Sequence, residues 1–527
     1  MECSEPSPDP PPLDAGDCYR ALSIRDARFD GRFFTGVKTT GVFCRPVCPA
    51  PVPKAVNCTF WRSAAAAQAA GFRPCLRCRP ETAPGTPAWR GTAASVSRAM
   101  RLIEAGALDH GGSVDALADR LGIGSRHLRR LFEQHLGASP RAVAKLRRTL
   151  FAKQLIDETR MSMTEIAASS GFSSQRRFNA CIREVYGRPP SALRRAPKKN
   201  KKKAARAGAE GSASASRSAI KPAAERGNAN HDQSMIELSL PYRPPFAWQA
   251  LLDFFQARAI PGVESVSGGR YLRTIRMGSG IGSIAVGHDA SRRRLRVAVR
   301  LSSPEGLIEI AARLRQLFDL DADADGIDRV LAQQAMLRAN VGGCPGMRVP
   351  GAFDGFETAV RGILGQQVSV KGATTVAGRL AERWGTKLPK RLAQGDDLVW
   401  LFPTPRRLAK AQLEEVGIIR ARAETIRNLA RAVLADASLL HPGKGLSEAI
   451  DRWVALPGIG PWTAHYVAMR VLREPDALPS ADLGLRKAIT KSGEKPRPPR
   501  EVEIELDPFR PYRAYAAMRL WSSLHPA

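Results

Sequence analysis

Residues 196–234 interrupt the chain with a stretch that contains almost no large apolar side chain. The stretch reads APKKNKKKAARAGAEGSASASRSAIKPAAERGNANHDQS and is rich in lysine, alanine and serine. Such a composition cannot bury enough apolar surface to fold, so it predicts a disordered basic linker. The linker divides the chain into two halves, and its length predicts that the halves act independently. Its basic cluster is equally consistent with a localisation signal, a tether that binds phosphate and a solvated spacer.

The charge balance points to a polyanionic partner. The 527 residues include 81 Lys plus Arg against 50 Asp plus Glu, which leaves a net charge of +31. This excess favours nucleic acid as the partner. No apolar run approaches the roughly 18 residues of a membrane-spanning helix, and the acidic, proline-rich start is not a signal peptide. We therefore expect a cytoplasmic protein with no membrane partner.

Periodicity and composition divide the rest of the chain into folded units, of which the length predicts about three to five. Residues 1–16 are proline-rich and predict a disordered tail, and residues 17–82 combine short runs, turns and cysteines. Residues 91–195 show a helical pattern. After the linker, residues 235–345 alternate short strands with an amphipathic helix, whereas residues 346–527 have helical periodicity. The predicted fold class is multidomain α+β and predominantly helical.

Four of the nine cysteines stand in two close pairs. Cys44 and Cys48 form a C-x3-C pair, and Cys75 and Cys78 form a C-x2-C pair. Each pair can place two sulfurs on one metal across a tight turn, and four such ligands suit tetrahedral Zn²⁺. Taken alone, this spacing most often indicates a structural zinc, so a purely structural role remains an open alternative.

The residues around the cysteines resemble a known methyl acceptor. The segments GVKTTGVFCRPVCPAPVP and AAGFRPCLRCRP are similar to the zinc domain of the Ada family, which accepts methyl groups from DNA methyl phosphotriesters. The resemblance implies that Cys44 is the acceptor and that Cys48, Cys75 and Cys78 are its fellow zinc ligands. Transfer to Cys44 would remove one negative charge and raise the affinity for DNA. Because a thioether is a poor leaving group, the reaction would be stoichiometric.

The helical stretch contains two similar units. SVDALADRLGIGSRHLRRLFEQHLGASP begins at Ser113, and MTEIAASSGFSSQRRFNACIREVYGRPP follows it. Each reads as a helix, a turn with glycine and a basic second helix, and the pair resembles the AraC family of transcriptional activators, whose second helices enter successive major grooves. Activation would make RNA polymerase a partner. The residues that these helices would present to double-stranded DNA are Arg126, His127, Arg129, Arg130, Gln175, Arg176 and Arg177.

The second half contains a glycine hairpin. In LPGIGPWTAHYVAMR, Gly458 and Gly460 flank Ile459 and permit a tight turn whose backbone N–H groups can approach a DNA phosphate. Together with ILGQQVSV before it and ALPSADLGLRKAI after it, the segment resembles the helix-hairpin-helix-GPD glycosylases of the AlkA type. The resemblance implies an all-α glycosylase domain preceded by a small, TBP-like α+β domain.

The same resemblance implies the catalytic set. Asp482 would stabilise the oxocarbenium that develops when an alkylated base leaves, and it would also cap the helix of LGLRKAI. Trp462, Tyr466 and Trp521 would form a pocket that stacks on the flipped cationic base. Aromatic residues at helical spacing also serve as core, so without the family match a core role would be favoured.

This chain departs from the patterns of related families at several positions, and these departures narrow the predicted activity. Gln367 stands where AlkA-type enzymes can use a leucine wedge, so Gln367 is the wedge candidate. Trp462 stands where bifunctional relatives have a lysine, which predicts a monofunctional enzyme without a lyase step. Cys344 is the one cysteine after the linker, which predicts no iron–sulfur cluster. A P-C-H-R motif is absent, so direct repair of O6-alkylguanine is not predicted.

These features support a leading hypothesis and an alternative. The leading hypothesis is a DNA-3-methyladenine glycosylase fused to an activator that senses methyl phosphotriesters, which together serve DNA repair and the adaptive response. Such a protein would lie in the bacterial cytoplasm and associate with the nucleoid by binding DNA. The alternative is a transcriptional regulator whose glycosylase-like half binds DNA without catalysis. Retention of Asp482 argues against the alternative.

Overall fold

A computed structural model of the chain describes residues 13–80, 83, 94–109, 111–194, 235–278, 280–490 and 494–524. The predicted linker, residues 196–234, lies outside these residues, as does most of the predicted tail. Among the helices that the structure describes, none has both the length and the apolar composition of a membrane span.

The cysteine-containing domain is a small sheet flanked by two helices. Strand order is β3-β1-β2-β4, and only the β2/β4 pair is parallel. Phe34 of β1 and Phe43 of β2 meet edge to face beneath the sheet. The elements are α1 (Ala15–Ser23), β1 (Phe34–Val37), β2 (Val42–Cys44), β3 (Cys58–Trp61), α2 (Ala64–Ala69) and β4 (Arg73–Pro74).

The next domain contains two helix-turn-helix units joined by a long helix. Serine caps begin the first helix of each unit, Ser113 for one and Ser162 for the other, and Ser162 completes a capping box with Glu165. The second helices bury apolar residues such as Phe132 and Phe178. The elements are α3 (Ala94–Glu104), α4 (Val114–Arg120), α5 (Ser125–Leu136), α6 (Pro140–Glu158), α7 (Met163–Ser169), α8 (Gln175–Tyr186) and α9 (Pro190–Leu193).

The second half opens with a five-stranded antiparallel sheet of order β5-β9-β8-β7-β6. Phe255, Tyr271 and Phe318 form an aromatic cluster that packs helix against sheet. The elements are β5 (Ile236–Pro241), α10 (Trp248–Gln256), β6 (Glu264–Ser267), β7 (Arg270–Met277), β8 (Gly280–Asp289), β9 (Arg294–Leu301), α11 (Leu307–Leu317), α12 (Ala324–Leu331) and α13 (Ala335–Gly343).

The last domain is helical apart from one two-stranded ribbon, and its core includes the fully buried Trp453. The elements are α14 (Gly355–Leu364), α15 (Val370–Trp384), β10 (Thr386–Lys387), β11 (Trp400–Leu401), α16 (Pro405–Leu408), α17 (Arg420–Ala435), α18 (Leu446–Val454), α19 (Pro461–Arg470), α20 (Leu483–Ala488), α21 (Pro499–Leu506) and α22 (Arg513–Ser523).

The two halves of the chain share a core. One apolar cluster contains Phe151 and Leu155 of α6 together with Leu238 and Leu240 of β5. Gln154 of α6 also donates a hydrogen bond to the carbonyl of Ser239, at 2.8 Å. The halves are therefore packed against each other in the folded chain, and their functional independence stays a prediction.

Polar contacts extend this interface. Arg32 of the first domain forms an ion pair with Asp323, whose side chain is 3% exposed. Arg243 donates a hydrogen bond from Nε to the carbonyl of Asp30, at 2.8 Å. Ser169 of α7 donates to the carbonyl of Pro304, at 2.7 Å. The interface is thus both apolar and hydrogen-bonded, as expected of a fixed contact.

Candidate functional site

The four predicted cysteine ligands converge on one point. The sulfurs of Cys44, Cys48, Cys75 and Cys78 all lie within 4.8 Å of one another, and all four residues are buried. Cys44 ends β2 and Cys75 follows β4, so the parallel pairing of β2 with β4 brings the two pairs together. Four soft sulfur donors at this spacing fit a tetrahedral zinc ion.

Arg45 supports this cluster from its edge. Its backbone N–H donates to the sulfur of Cys78, at 3.4 Å, and its guanidinium donates to the carbonyl of the same residue, at 3.2 Å. The guanidinium also donates from Nε to Asp30, at 2.8 Å. Arg45 therefore fixes the turn after Cys44 and places a positive charge beside a site that thiolates would make negative.

Burial does not single out one sulfur as the methyl acceptor. The exposed fractions are 7% for Cys44, 6% for Cys48, 8% for Cys75 and 7% for Cys78. All four residues are thus enclosed to a similar degree, and exposure does not distinguish them. The assignment of Cys44 remains a prediction.

The predicted DNA-contacting residues stand on the outer faces of α5 and α8. On α5, Arg130 is hydrogen-bonded to Nδ1 of His127 at 3.0 Å, and Arg129 lies 3.9 Å from the carboxylate of Asp115. The exposed residues are Arg126, His127, Arg129, Arg130, Gln175, Arg176 and Arg177.

The glycine hairpin joins α18 to α19 and requires glycine at its first position. Gly458 has φ of +86°, and a Cβ there would lie 1.9 Å from the hydroxyl oxygen of Thr425. Ile459 is buried and fixes the turn to the core, whereas Gly460 is exposed and caps α19. Gln366, which the sequence reasoning missed, donates from Nε2 to the carbonyl of Gly458, at 3.2 Å.

Asp482 receives hydrogen bonds from two indoles. Nε1 of Trp521 donates to one carboxylate oxygen at 2.8 Å, and Nε1 of Trp462 donates to the other at 3.0 Å. The backbone N–H of Leu485 also donates to the first oxygen, at 3.0 Å, which makes Asp482 the N-cap of α20. The capping role and the pocket position thus belong to the same carboxylate.

These residues line a cavity of about 600 Å³. Trp462 and Tyr466 stack with their ring centroids 5.6 Å apart and their planes inclined by 16°. The hydroxyl of Tyr466 accepts a hydrogen bond from Arg470, at 2.8 Å. The structure therefore brings the predicted aromatic residues and Asp482 to one cavity of a size that suits a nucleobase.

One wall of the cavity comes from the preceding domain and was not predicted. Phe254 and Arg258 project from the α10 region, and the guanidinium of Arg258 lies 4.0 Å from the ring centre of Phe254. Burial lowers the pKa of Arg258 to about 10, since desolvation disfavours its charge. The sequence signal for this wall was an aromatic residue followed one helical turn later by a basic residue, but such a pair is common on helices.

Gln367 lies in the turn between α14 and α15. Its backbone has φ of +54°, and its side chain is exposed. Val368 follows it at the rim of the cavity with 39% of its surface exposed. The position at the mouth of the cavity is compatible with a wedge, and that role of Gln367 remains a prediction.

Four family models match the chain in the order of the domains described above. "Metal binding domain of Ada" matches residues 17–81, and "Helix-turn-helix domain" matches residues 117–196. "AlkA N-terminal domain" matches residues 237–354, and "HhH-GPD superfamily base excision DNA repair protein" matches residues 360–511.

A relative of similar length has the same arrangement. It is the "Probable bifunctional transcriptional activator/DNA repair enzyme AlkA" of Mycobacterium tuberculosis, 41% identical over 513 residues, which are 97% of this chain and 96% of the relative. The chain belongs to this bifunctional activator/repair family. The predicted combination of Ada-type zinc domain, helix-turn-helix regulator and AlkA-type glycosylase is thereby confirmed, as is the fold class.

Two further relatives match smaller parts of the chain. "DNA-3-methyladenine glycosylase 2" of Escherichia coli is 31% identical over 54% of this chain and 96% of that protein. "Bifunctional transcriptional activator/DNA repair enzyme Ada" of Escherichia coli is 39% identical over 24% of this chain and 33% of that protein. The matches favour an enzyme fused to a regulator over the alternative of an inactive glycosylase-like half.

Proposed function

We propose that the protein repairs alkylated DNA and reports the damage. The second half hydrolyses the N-glycosidic bond of alkylated bases of the 3-methyladenine type, and the first half accepts a methyl group from a DNA methyl phosphotriester onto Cys44. The observation that carries the proposal is the Asp482 carboxylate, held by two indole N–H groups inside an aromatic cavity.

The cavity supplies what excision of a cationic base requires. A purine alkylated at N3 or N7 already carries positive charge, so it leaves without a general acid and leaves an oxocarbenium on the sugar. The Asp482 carboxylate stabilises that cation. The parallel planes of Trp462 and Tyr466 provide a face on which the electron-poor base stacks, with Trp521 beside Asp482. Water then adds to the sugar, and the reaction is monofunctional.

The hairpin positions DNA for this step. The N–H groups at the exposed Gly460 and the start of α19 suit a backbone phosphate, while the buried Ile459 keeps the turn rigid. Gln367, at the mouth of the cavity, would fill the gap left by the flipped nucleotide. The protein thus holds the duplex through its backbone and the damaged base through the cavity.

The cysteine cluster performs a different chemistry. Bound zinc keeps the four sulfurs as thiolates at neutral pH. The Cys44 sulfur attacks the methyl carbon of the phosphotriester, the carbon–oxygen bond breaks, and a phosphodiester anion leaves. Cys48, Cys75 and Cys78 remain ligands. The product thioether is neutral, so the surface that faces DNA loses one negative charge and binds phosphate more strongly.

The exposed residues of α5 and α8 read the promoter and convert this affinity change into activation. Because the matched relatives are transcriptional activators by name, RNA polymerase is the proposed further partner. Binding to chromosomal DNA would place the protein in the nucleoid. No iron–sulfur cluster is part of the proposed mechanism.

The test incubates the intact protein with methylated duplex DNA and measures both products. We expect free 3-methyladenine without strand cleavage, and an added methyl group on Cys44 by peptide mass spectrometry. Absence of released base would favour a regulator with a DNA-binding second half. Absence of methyl on Cys44 would favour a purely structural zinc site.

A further inference from the structure

A buried carboxylate lies at the start of the segment that leads to Asp482. Glu474 follows α19 and is 7% exposed. Its carboxylate pairs with Arg98 at 3.3 Å and with Arg101 at 3.1 Å. Both arginines belong to α3, the first helix of the helix-turn-helix domain in the regulatory half, residues 17–195. A carboxylate of the repair half is therefore neutralised by the other half of the chain.

Contacts within the repair half hold the rest of this segment. The side chain of Arg513 donates to Asp476 at 2.8 Å, the N–H of Leu478 donates to His465 at 3.3 Å, and Ser480 donates to Glu503 at 2.7 Å. The segment thus has three internal anchors between Glu474 and Asp482. The Glu474 carboxylate is its anchor to the other half.

The backbone at this anchor is strained. Arg473, which precedes Glu474, has φ of +58°, a backbone conformation that residues other than glycine rarely adopt. Its guanidinium pairs with Asp319 at 2.9 Å, and Asp319 itself has φ of +48°. Strained residues persist where surrounding contacts fix them, so the ion pairs of Arg473 and Glu474 help to hold this turn, together with the hydrogen bond from the Glu474 N–H to the carbonyl of Ala468 at 2.9 Å.

Burial makes the pair sensitive to the loss of either partner. Arg101 is 5% exposed, and desolvation lowers its pKa to about 10. Removing Arg101 leaves the buried Glu474 carboxylate with Arg98 as its remaining partner in this contact, at 3.3 Å, so its charge is less well compensated and the segment is expected to shift toward water. The shift would begin at Glu474 and travel along a short segment to Asp482.

We propose that Arg101 is a positioning residue for base excision, which acts through Glu474 on the segment that carries Asp482. The inference rests on the proposed glycosylase function and extends it, because it makes the regulatory half part of the machinery that sets the excision rate. Arg98 shares the same carboxylate and supports the same contact.

The experiment measures single-turnover base release, DNA affinity and hydrogen exchange of residues 474–482 in the full chain. We expect Arg101→Gln to lower the release rate about fivefold and to leave affinity within about twofold, as is typical of coupling through a remote contact. Amide exchange in the segment should rise. The triple variant Arg98→Gln/Arg101→Gln/Glu474→Gln should be no slower than Arg98→Gln/Arg101→Gln, since Glu474→Gln then removes no further ion pair.

The matched control is Arg32→Gln. Arg32 also pairs across the contact between the halves, with the buried Asp323, but that pair does not involve the segment leading to Asp482. We expect its release rate to remain within about twofold of the unaltered protein. The charge-swapped variant Arg101→Glu/Glu474→Arg should recover rate relative to Arg101→Glu alone, which separates positioning from a failure to fold.

The outcomes distinguish this inference from the proposed function. An unaltered protein that releases no base overturns the proposed function, and the positioning role with it. If the unaltered protein is active but Arg101→Gln has the same rate, only the positioning role is overturned. An equal loss in Arg32→Gln also overturns it, because docking of the halves in general would then set the rate.

Discussion

The cysteine cluster and the aromatic cavity that contains Asp482 act on alkylated DNA in opposite ways. The cluster is built from four identical residues that two neighbouring strands bring together, and each sulfur is nearly enclosed. The cavity collects residues from distant parts of the chain, from Phe254 to Trp521, around a single carboxylate. The cluster is consumed when it reacts, whereas the cavity is regenerated. A consumed site suits a signal, and a regenerated site suits clearance of many lesions.

Removal of zinc should produce the largest difference between the two regions, measured as methyl uptake by the cluster and base release in the cavity. Besides the cluster around Phe34 and Phe43, the cysteine-containing domain has a separate cluster made of Val37 and the four cysteines, which bound zinc would hold together. Zinc binding of this kind contributes on the order of 10 kcal/mol to folding. We expect chelation to abolish methyl uptake and to expose residues 17–81 to hydrogen exchange. Base release should change by less than about threefold, because Cys44, Cys48, Cys75 and Cys78 do not line the cavity.

A matched variant controls for loss of a thiol alone. Cys58 is half-buried and lies outside the cluster, so Cys58→Ser should retain one zinc per chain and full methyl uptake. A chelated protein that kept an ordered zinc domain would contradict the view that the ion supports its fold.

Asp482→Asn should produce the converse pattern. The amide keeps an oxygen that can accept from Leu485, so α20 should remain capped, but the negative charge is lost. We expect base release to fall by about 100- to 1000-fold, the usual cost of removing a group that stabilises developing charge. Methyl uptake by the zinc domain should be unchanged.

The exposed Asp396 offers the corresponding control. Asp396→Asn removes the same charge far from the cavity and should leave base release unaltered. Similar losses in both variants would indicate a general charge effect rather than a role for the cavity carboxylate.

A smaller effect is expected from removing one of the two indole N–H groups that donate to Asp482. Trp462→Phe keeps an aromatic face for the base but removes the N–H that donates to the carboxylate. Hydrogen bonds to charged groups contribute about 1.5 to 3 kcal/mol, so we expect at least a tenfold slower release step. Single-turnover kinetics would measure it, with Trp384→Phe on α15 as the control outside the cavity. An unchanged rate would mean that stacking alone accounts for Trp462.

The smallest effect should come from the exposed face of α8, which belongs to neither the cysteine cluster nor the cavity. Arg176→Ala removes one exposed cation from α8. We expect about threefold weaker binding to duplex DNA and a salt dependence reduced by about one ion. Base release at saturating DNA and methyl uptake should not change. Arg160→Ala, an exposed arginine in the loop after α6, is the control. An equal effect of both variants would show that only overall charge matters.

More of the cysteine cluster than of the cavity could be predicted from the sequence. The spacing of Cys44, Cys48, Cys75 and Cys78 was enough to predict a shared metal, because ligands within a tight turn must lie close together. The convergence of Asp482 with the indoles followed from the family resemblance. Phe254 escaped prediction, since nothing local shows that its helix in one domain covers a cavity in the next.

The contact between the halves escaped prediction for a related reason. The composition of residues 196–234 predicts a linker, and a linker permits independence without requiring it. The pairing of Arg101 with Glu474 depends on how α3 meets the turn after α19, and many arginines could have met many acids. Only the packed structure selects one pair.

The Asp482 carboxylate has two hydrogen-bonding roles, one in the cavity and one at the start of α20, and this affects how such a domain can evolve. One carboxylate oxygen accepts from the backbone of α20 and from Trp521, so selection for a folded domain and selection for excision act on the same atom. A lineage that no longer needed repair could not discard this acid freely, since its loss would also weaken the start of a helix. Persistence of an aspartate at this position in a descendant is therefore weaker proof of activity than the pairing of that aspartate with both indoles.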